Sequence, residues 1–399
     1  MKKLSIQDLD LQNKKVLMRV DFNVPLNEKG EITDDTRIKQ SLPSIEYILA
    51  QNGKLILLSH FGRPKGKKDS SLSLAPCAKH LSELLGKPVQ FAPDCIGEKV
   101  KEMADQLQEG EILLLENLRF HTAEEHPEAD PSFAKQLAKL GDCYINDAFG
   151  SAHRRHASTA LLPTFFEGKA AAGFLMEKEI NALSSLILTP KRPFHVLIGG
   201  AKVSTKIGVL DSLLEKVDCI YIGGGMAYTF LKAQGIKIGD SICDEEYIPA
   251  AKEFIKKCTD KMIQLQLPKD LLTASEINID AQTNIVTVKE GIENGWKGVD
   301  IGPKTIESWI SSLQNAATVF WNGPMGVFEI EPFSKGTKAI AEAISNLSAI
   351  TMIGGGDSVA AVNHLNLNKS FTHISTGGGA SLEFLQFGHL PGIDALSNR

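Results

Sequence analysis

The chain has 399 residues, 43% hydrophobic and 23% charged, enough for two or more domains with separate cores. A formal net charge of -5 excludes the broadly basic surface of a general nucleic-acid binder, and no apolar stretch approaches the ~18–20 residues that a membrane helix requires. The opening residues lack the apolar segment of a signal peptide, and the six cysteines form no Cys-x-x-Cys pair, so buried thiols in a reduced cytoplasmic protein are expected.

In chain order, residues 15–20, 54–59, 111–115 and 143–145 are short apolar runs that predict strands, with segments such as 132–140 of helical period between them. Strand and helix in alternation imply parallel sheets, whose ligands bind beyond the carboxyl ends of the strands. A polar cluster follows each run. After the first comes Arg19-Val20-Asp21-Phe22-Asn23-Val24-Pro25, where Asp21 and Asn23 alternate with apolar residues and face one way, suited to a hydroxyl or an arginine. After the second, His60-Phe61-Gly62-Arg63-Pro64 sets a histidine and an arginine around a glycine, ready to close on a phosphate or carboxylate. Glu116-Asn117-Leu118-Arg119-Phe120 follows the third, and Asp147-Ala148-Phe149-Gly150-Ser151-Ala152-His153-Arg154-Arg155-His156 the fourth. A lone arginine is usually a surface charge. Arginines after three strands, plus Arg37 beyond the first, would be gathered by parallel topology on one rim and imply a highly anionic small substrate. A metal site at His60, His153 and His156 is not expected, because no carboxylate or cysteine completes a ligand set at the usual spacing. Residues 64–71 predict an exposed loop.

A long amphipathic helix opens near Gly173 and is ended by Thr189-Pro190-Lys191-Arg192-Pro193, which puts a boundary near 170–193. Beyond it, residues 194–198, 219–222, 317–321, 349–353 and 372–374 predict strands, 335–347 a helix, and 278–288 a hairpin-like insertion. Four of these runs lead into glycines: Gly199-Gly200, Gly223-Gly224-Gly225, Gly354-Gly355-Gly356 and Gly377-Gly378-Gly379. Backbone without Cβ atoms can approach phosphate oxygens closely. Lys202 and Lys206 stand at i and i+4 and are expected on one helix face near its N-terminus. Neither the P-loop pattern nor Gly-x-Gly-x-x-Gly is completed. Gly355-Gly356-Asp357-Ser358 adds a carboxylate and a hydroxyl suited to a Mg²⁺–phosphate complex. The stretch from Trp321 to Glu329 reads as an apolar slot for a base with a carboxylate for ribose hydroxyls.

Taken together, the ordered motifs RVDFNVP, HFGRP, ENLRF, DAFGSAHR, GGAKVSTK, GGGMAYTFL, WNGPMGVFE, GGGDS and STGGGASLEFL, spanning residues 19 to 385, resemble the phosphoglycerate kinase family of glycolysis. The resemblance implies an α/β fold of two doubly wound parallel-sheet domains facing a cleft. They would comprise residues 1–170 with a returning tail at 390–399, an interdomain hinge helix at 171–189, and a nucleotide domain at 190–389. It implies reversible, direct in-line phosphoryl transfer from 1,3-bisphosphoglycerate to ADP after hinge closure, giving 3-phosphoglycerate and ATP. Mg²⁺ would enter as MgADP or MgATP, with no organic cofactor, in a cytoplasmic monomer that binds neither nucleic acid nor membrane.

By the same resemblance, Asp21, Phe22, Asn23, Arg37, His60, Phe61, Gly62, Arg63, Arg119 and Arg154 take the phosphoglycerate. Gly200, Ala201, Lys206, Gly224, Gly298, Asn322, Pro324, Glu329, Gly355, Gly356, Asp357 and Ser358 take the nucleotide. Arg37, Lys202 and Gly378 are the catalytic set, and Asp357 is the Mg²⁺ ligand. Ser358 stands where many relatives carry threonine, Gln386-Phe387-Gly388-His389 replaces a Glu-Gly-Lys-like stretch, and Arg155 is an additional cation. Among other readings, an NAD-dependent dehydrogenase lacks its glycine fingerprint. A nucleotide sensor has no need of the arginine-rich half, and a purely structural protein none of lysines beside glycines.

Overall fold

The apolar runs fold as strands buried on both faces, as a parallel sheet flanked by helices requires. In the computed structural model, which describes residues 2–399, the chain forms two compact units. One comprises the chain up to Asn181 together with His389–Arg399, and the other is Ala182–Gly388.

The first unit contains β1 (Lys15–Arg19), β2 (Lys54–Leu58), β3 (Val89–Phe91), β4 (Ile112–Leu114), β5 (Cys143–Asn146) and β6 (Ala170–Ala172). Their order is β3-β4-β2-β1-β5-β6, with every neighbouring pair parallel. Val16, Met18, Leu55, Leu57, Ile112 and Leu114 supply the centre of the core. The winding passes from β1 to β2 on one side and resumes at β5 on the other. Such a reversal opens a crevice at the carboxyl edge of the sheet, where the arginine-bearing loops emerge.

The C-terminal segment completes this unit. Leu4 N donates to Ser397 O at 2.9 Å, Ser397 N to Ala170 O at 2.9 Å and Gly392 N to Ala152 O at 2.8 Å. Lys3 Nζ donates to Asp394 O, Leu396 O and Asn398 Oδ1 at 2.8–3.0 Å.

The second unit holds β7 (Phe194–Ile198), β8 (Cys219–Ile222), β9 (Gln264–Gln266), β10 (Asp270–Ala274), β11 (Thr283–Thr287), β12 (Lys297–Ile301), β13 (Thr318–Asn322), β14 (Ile350–Gly354) and β15 (His373–Ile374). The parallel sheet runs β15-β14-β13-β7-β8-β9, and β11-β10-β12 form a separate antiparallel sheet. The hairpin-like insertion read from the sequence is the β11 edge of that small sheet.

Two readings change. The segment expected as a helix over 171–189 begins with strand β6, and its helix is Phe174–Leu188, within which the boundary between the units falls. Residues 201–206 are turns rather than helix, because Ser204 N and Oγ both donate to Asp244 Oδ2 at 3.1 Å. The helix starts at Ile207 with Lys206 at its N-cap, so Lys202 and Lys206 share no helix face.

Candidate active site

At the carboxyl edge of the first sheet the loops are tied to one another through glycine and amide groups. Gly62, at φ +56°, donates its N–H to Asn23 Oδ1 at 2.9 Å and offers its carbonyl to Arg119 Nη1 at 2.7 Å, joining the segments after β1, β2 and β4. A Cβ there would stand 2.7 Å from Leu72 Cδ2. Buried Asn117 accepts from Phe61 N and donates to Phe61 O and Leu72 O. Phe22 and Phe61 put their rings in the core and spend their N–H groups on Ser59 Oγ and Asn117 Oδ1. They shape the rim from beneath, with neither backbone N–H free.

Cationic and imidazole groups gather at this edge, and the buried ones feel one another's charge. Arg37 Nη1 donates to Asp21 Oδ2 at 2.9 Å with its side chain 42% exposed, while Arg63 and Arg154 reach solvent. Arg119 is buried, its Nε 3.1 Å from Glu125 Oε1 without hydrogen-bond alignment. Burial, then the charges of Arg19, Arg119 and Arg37, push the His60 pKa well below its ordinary value. Burial, then Arg119, Arg19 and Arg154, lower that of His156 to about 3. Both rings are therefore neutral at physiological pH. Arg19 Nη2 lies 3.0 Å from His60 Nδ1; because a guanidinium only donates, Nδ1 accepts and the ring proton sits on Nε2.

Arg19, fully buried, also donates through Nε to Ser158 Oγ at 2.9 Å, and Ser158 in turn donates to the buried Glu124 carboxylate at 2.6 Å and 3.0 Å. Sequence reading assigned no role to Arg19, Glu124 or Ser158. The available signal was Arg19 itself, a cation directly continuing the apolar run Val16-Leu17-Met18, a buried position that charge tolerates only when paired.

In the second unit the glycine turns divide into two kinds. Gly199 N donates to Asn322 O at 2.9 Å, Gly200 N to Pro324 O at 3.0 Å and Gly224 N to Met325 O at 3.0 Å. A Cβ on Gly199 would approach Gly323 O to 2.7 Å, and one on Gly224 would approach Gly200 N to 2.6 Å. These glycines let three backbone segments pack closely, and the amides of Gly199, Gly200 and Gly224 are engaged by backbone carbonyls.

By contrast, helix Gly356–His364 begins after Gly355 (φ +90°) and helix Gly379–Phe387 after Gly378 (φ +51°), neither with a side-chain cap. No heavy atom lies within 4 Å of a Cβ placed on Gly356, Gly378 or Gly379, so these turns are open to a ligand, although Ala380 N already donates to Gly377 O at 2.9 Å.

The cations also separate. Lys206 Nζ turns inward to Gly199 O at 2.6 Å and Asn322 Oδ1 at 2.7 Å, and burial, partly offset by Asp357, lowers its pKa to about 8. Lys202 is exposed, without an ion pair among the described residues. Asn322 Nδ2 is buried with no partner, 2.8 Å from where a Cβ on Gly355 would stand, and so aims a free donor at the open turn.

Asp357 is exposed in the first turn of its helix and Glu329 is exposed, whereas Ser358 is buried with its Oγ accepting from Gly323 N at 2.5 Å. Ala201 is exposed, and Gly298 N donates to Ser241 Oγ at 2.9 Å above the buried Tyr228 ring. Trp321 and Met325 are core residues, so the expected apolar slot reduces to the partly exposed Val327 and Phe328.

Two parallel α/β units, one presenting a side-chain cation cluster and the other open helix N-termini, both beyond strand carboxyl ends, mark a transferase of anionic substrates. The phosphoglycerate kinase family model matches residues 6–387. The phosphoglycerate kinases of Pseudothermotoga lettingae and Moorella thermoacetica are 50% and 52% identical over 399 residues, covering 100% of both chains. The solved phosphoglycerate kinase structures from Coxiella burnetii and Pyrococcus horikoshii align with TM-scores of 0.89 and 0.84 at 41% and 32% identity, each covering 98% of both chains. The chain belongs to the phosphoglycerate kinase family and is a kinase.

Proposed function

We propose that the protein transfers a phosphoryl group reversibly between 1,3-bisphosphoglycerate and ADP, giving 3-phosphoglycerate and ATP. The observation that carries this reading is the division of labour between two anion cradles, one of side-chain cations and one of open backbone amides. Asp21, Asn23, Arg37, His60 through its Nε2–H, Arg63, Arg119 and Arg154 hold the phosphoglycerate. Phosphoryl transfer asks little covalent work of a protein, so positioning and charge neutralisation carry the catalysis.

Arg37 and Lys202 neutralise the transferring group, and the amides following Gly378 receive its oxygens. The turn Gly355-Gly356-Asp357, with the unpartnered Asn322 amide, takes the nucleotide phosphates, and Lys206 exchanges its backbone carbonyl partners for them. Glu329 accepts from ribose hydroxyls. Mg²⁺ arrives as part of the nucleotide substrate and neutralises phosphate charge; the exposed carboxylate of Asp357, beside open amides, fits one ligand of such a complex.

In-line transfer requires both cradles to engage one phosphoryl group. The helix Phe174–Leu188 is the proposed hinge, and closure excludes water as a competing acceptor. The enzyme works as a cytoplasmic monomer. A coupled assay run in both directions, with and without Mg²⁺, tests the reading: turnover in each direction that depends on Mg²⁺ is expected, and nucleotide binding without turnover would reduce the protein to a nucleotide sensor.

A further inference from the structure

Away from the arginine cluster, three side chains of different ligand type meet beyond two adjacent strands. Asp94 and Cys95 follow β3, and His121 follows the turn Leu118–Phe120 that succeeds β4. Because β3 and β4 pair in parallel, both segments leave the same edge of the sheet. An oxygen of Asp94, the sulfur of Cys95 and a ring nitrogen of His121 all lie within 4.8 Å of one another, the only such grouping among the described residues.

Their orientation is fixed from several sides. Asp94 Oδ1 lies 2.6 Å from His121 Nε2 and accepts from Cys95 N at 2.7 Å. The His121 ring stacks on Phe133 with centroids 5.2 Å apart and planes at 28°. Cys95 is fully buried, whereas the Asp94 and His121 side chains are 44% and 28% exposed, leaving an entry path and room for water as a further ligand.

We propose that Asp94, Cys95 and His121 form a binding site for a zinc-like divalent transition metal. Mixed sulfur, nitrogen and oxygen donors are the set that Zn²⁺ accepts, and hard cations such as Mg²⁺ do not choose thiolate. Bonds of about 2.0–2.3 Å in a tetrahedron separate ligand atoms by roughly 3.3–3.8 Å, so the entering ion parts the His121–Asp94 contact by about 1 Å and draws the sulfur inward. On binding, the Cys95 thiol releases its proton to solvent, the imidazole binds as the neutral ring and the carboxylate stays ionised. The thiolate and carboxylate thus balance the two positive charges of the ion.

The opposing charge is Lys68, whose Nζ donates to Pro93 O at 3.0 Å; it is an exposed side chain, free to turn away. The buried Glu124 carboxylate adds negative charge close enough to act on the thiol, which favours a cation there. A simple Asp–His ion pair accounts for two of the three groups and not for the thiol beside them.

Titration of the metal-free, full-length protein with Co²⁺ in the absence of nucleotide tests the site. A thiolate-to-cobalt charge-transfer band in the near ultraviolet and tetrahedral d–d bands in the visible should saturate at stoichiometric Co²⁺ and be displaced by Zn²⁺. Cys95→Ser should abolish the charge-transfer band, and Asp94→Asn and His121→Gln should each weaken Co²⁺ binding at least ~10-fold. Cys243→Ser, at the one cysteine that is not buried, should leave the spectrum unchanged. Thermal melts without metal confirm that each variant is folded; His121 and Asp94, being partly exposed, carry the test should Cys95→Ser fail to fold. Absence of the band in the unmodified protein, or its persistence in Cys95→Ser, would overturn the proposal.

Discussion

Under the proposed function the two cradles solve one problem, holding a multiply charged anion, by opposite means. In the first unit the positive charge comes from side chains that repel one another when empty. The fold restrains them with carboxylates: Asp21 on Arg37, Glu125 near Arg119, and Glu124 through Ser158 behind Arg19. Burial keeps His60 and His156 neutral, so the cluster gains donors without further charge. In the second unit the attraction comes from uncapped helix N-termini, which cost strained glycine backbone instead of charge repulsion. An electrostatic cradle of side chains can be weakened one cation at a time, whereas a backbone cradle fails through its geometry.

The sharpest way to break this contrast is Lys202→Ala, since Lys202 is the cation of the second cradle that no internal group engages. Turnover in a steady-state assay should fall by ~10²-fold or more, as when one preorganised charge-stabilising donor is removed, with ADP affinity changed far less. Near-normal turnover would mean that open amides suffice alone. Next in size is Arg119→Ala. Charge-assisted hydrogen bonds contribute about 1.5–3 kcal/mol, so calorimetry should find 3-phosphoglycerate bound ~10–100-fold more weakly and ADP unaffected. Equal loss of both ligands would argue that the cradles are not separate.

Gly355→Ala probes the backbone cradle. A side chain at φ +90° costs roughly 1–2 kcal/mol and would meet Asn322, so ADP affinity should fall ~5–30-fold, with 3-phosphoglycerate binding retained. An unchanged ADP affinity would remove this turn from the nucleotide site.

The smallest effect is a protonation. Lys206 has a pKa lowered to about 8, so its charge is present below that pH and lost above it. Nucleotide phosphates restore the charge. Binding of ADP just above pH 8 should therefore take up a fraction of a proton, seen as a buffer-dependent enthalpy, and none near pH 6. Uptake that persists in Lys206→Arg would assign it elsewhere.

Legibility followed burial. Strands such as β1, β2 and β13, with continuous apolar runs, are plain in the sequence. The three-residue strands β3 and β9, partly exposed, and β6, an alanine triplet, lack such runs and are defined only by pairing to a neighbour. At the candidate site, the sequence displays the arginines and the Gly355-Gly356 turn directly, because charge and glycine are informative in isolation. The roles of Gly200, Gly224 and the 201–206 turn are not displayed. They depend on Pro324, Met325 and Asp244, residues 40 to 124 positions away in the chain whose approach no local spacing encodes. The same holds for Arg19, whose counter-charge comes from Glu124 by way of Ser158.

The hydrogen bonds tying Leu4 to Ser397 and Ala170 to Ser397 have a meaning in time as well as in space. The first unit takes its last segment, His389–Arg399, from the far end of the chain, after the whole of Ala182–Gly388 has been made. At about 5–20 residues per second, a ribosome needs roughly 10–40 s to cross that interval. Throughout it, the edge beside β6 and the polar groups of Lys3 wait without their partners. Until His389–Arg399 has been made, the nascent first unit therefore carries an unpaired strand edge that calls for shielding from its neighbours.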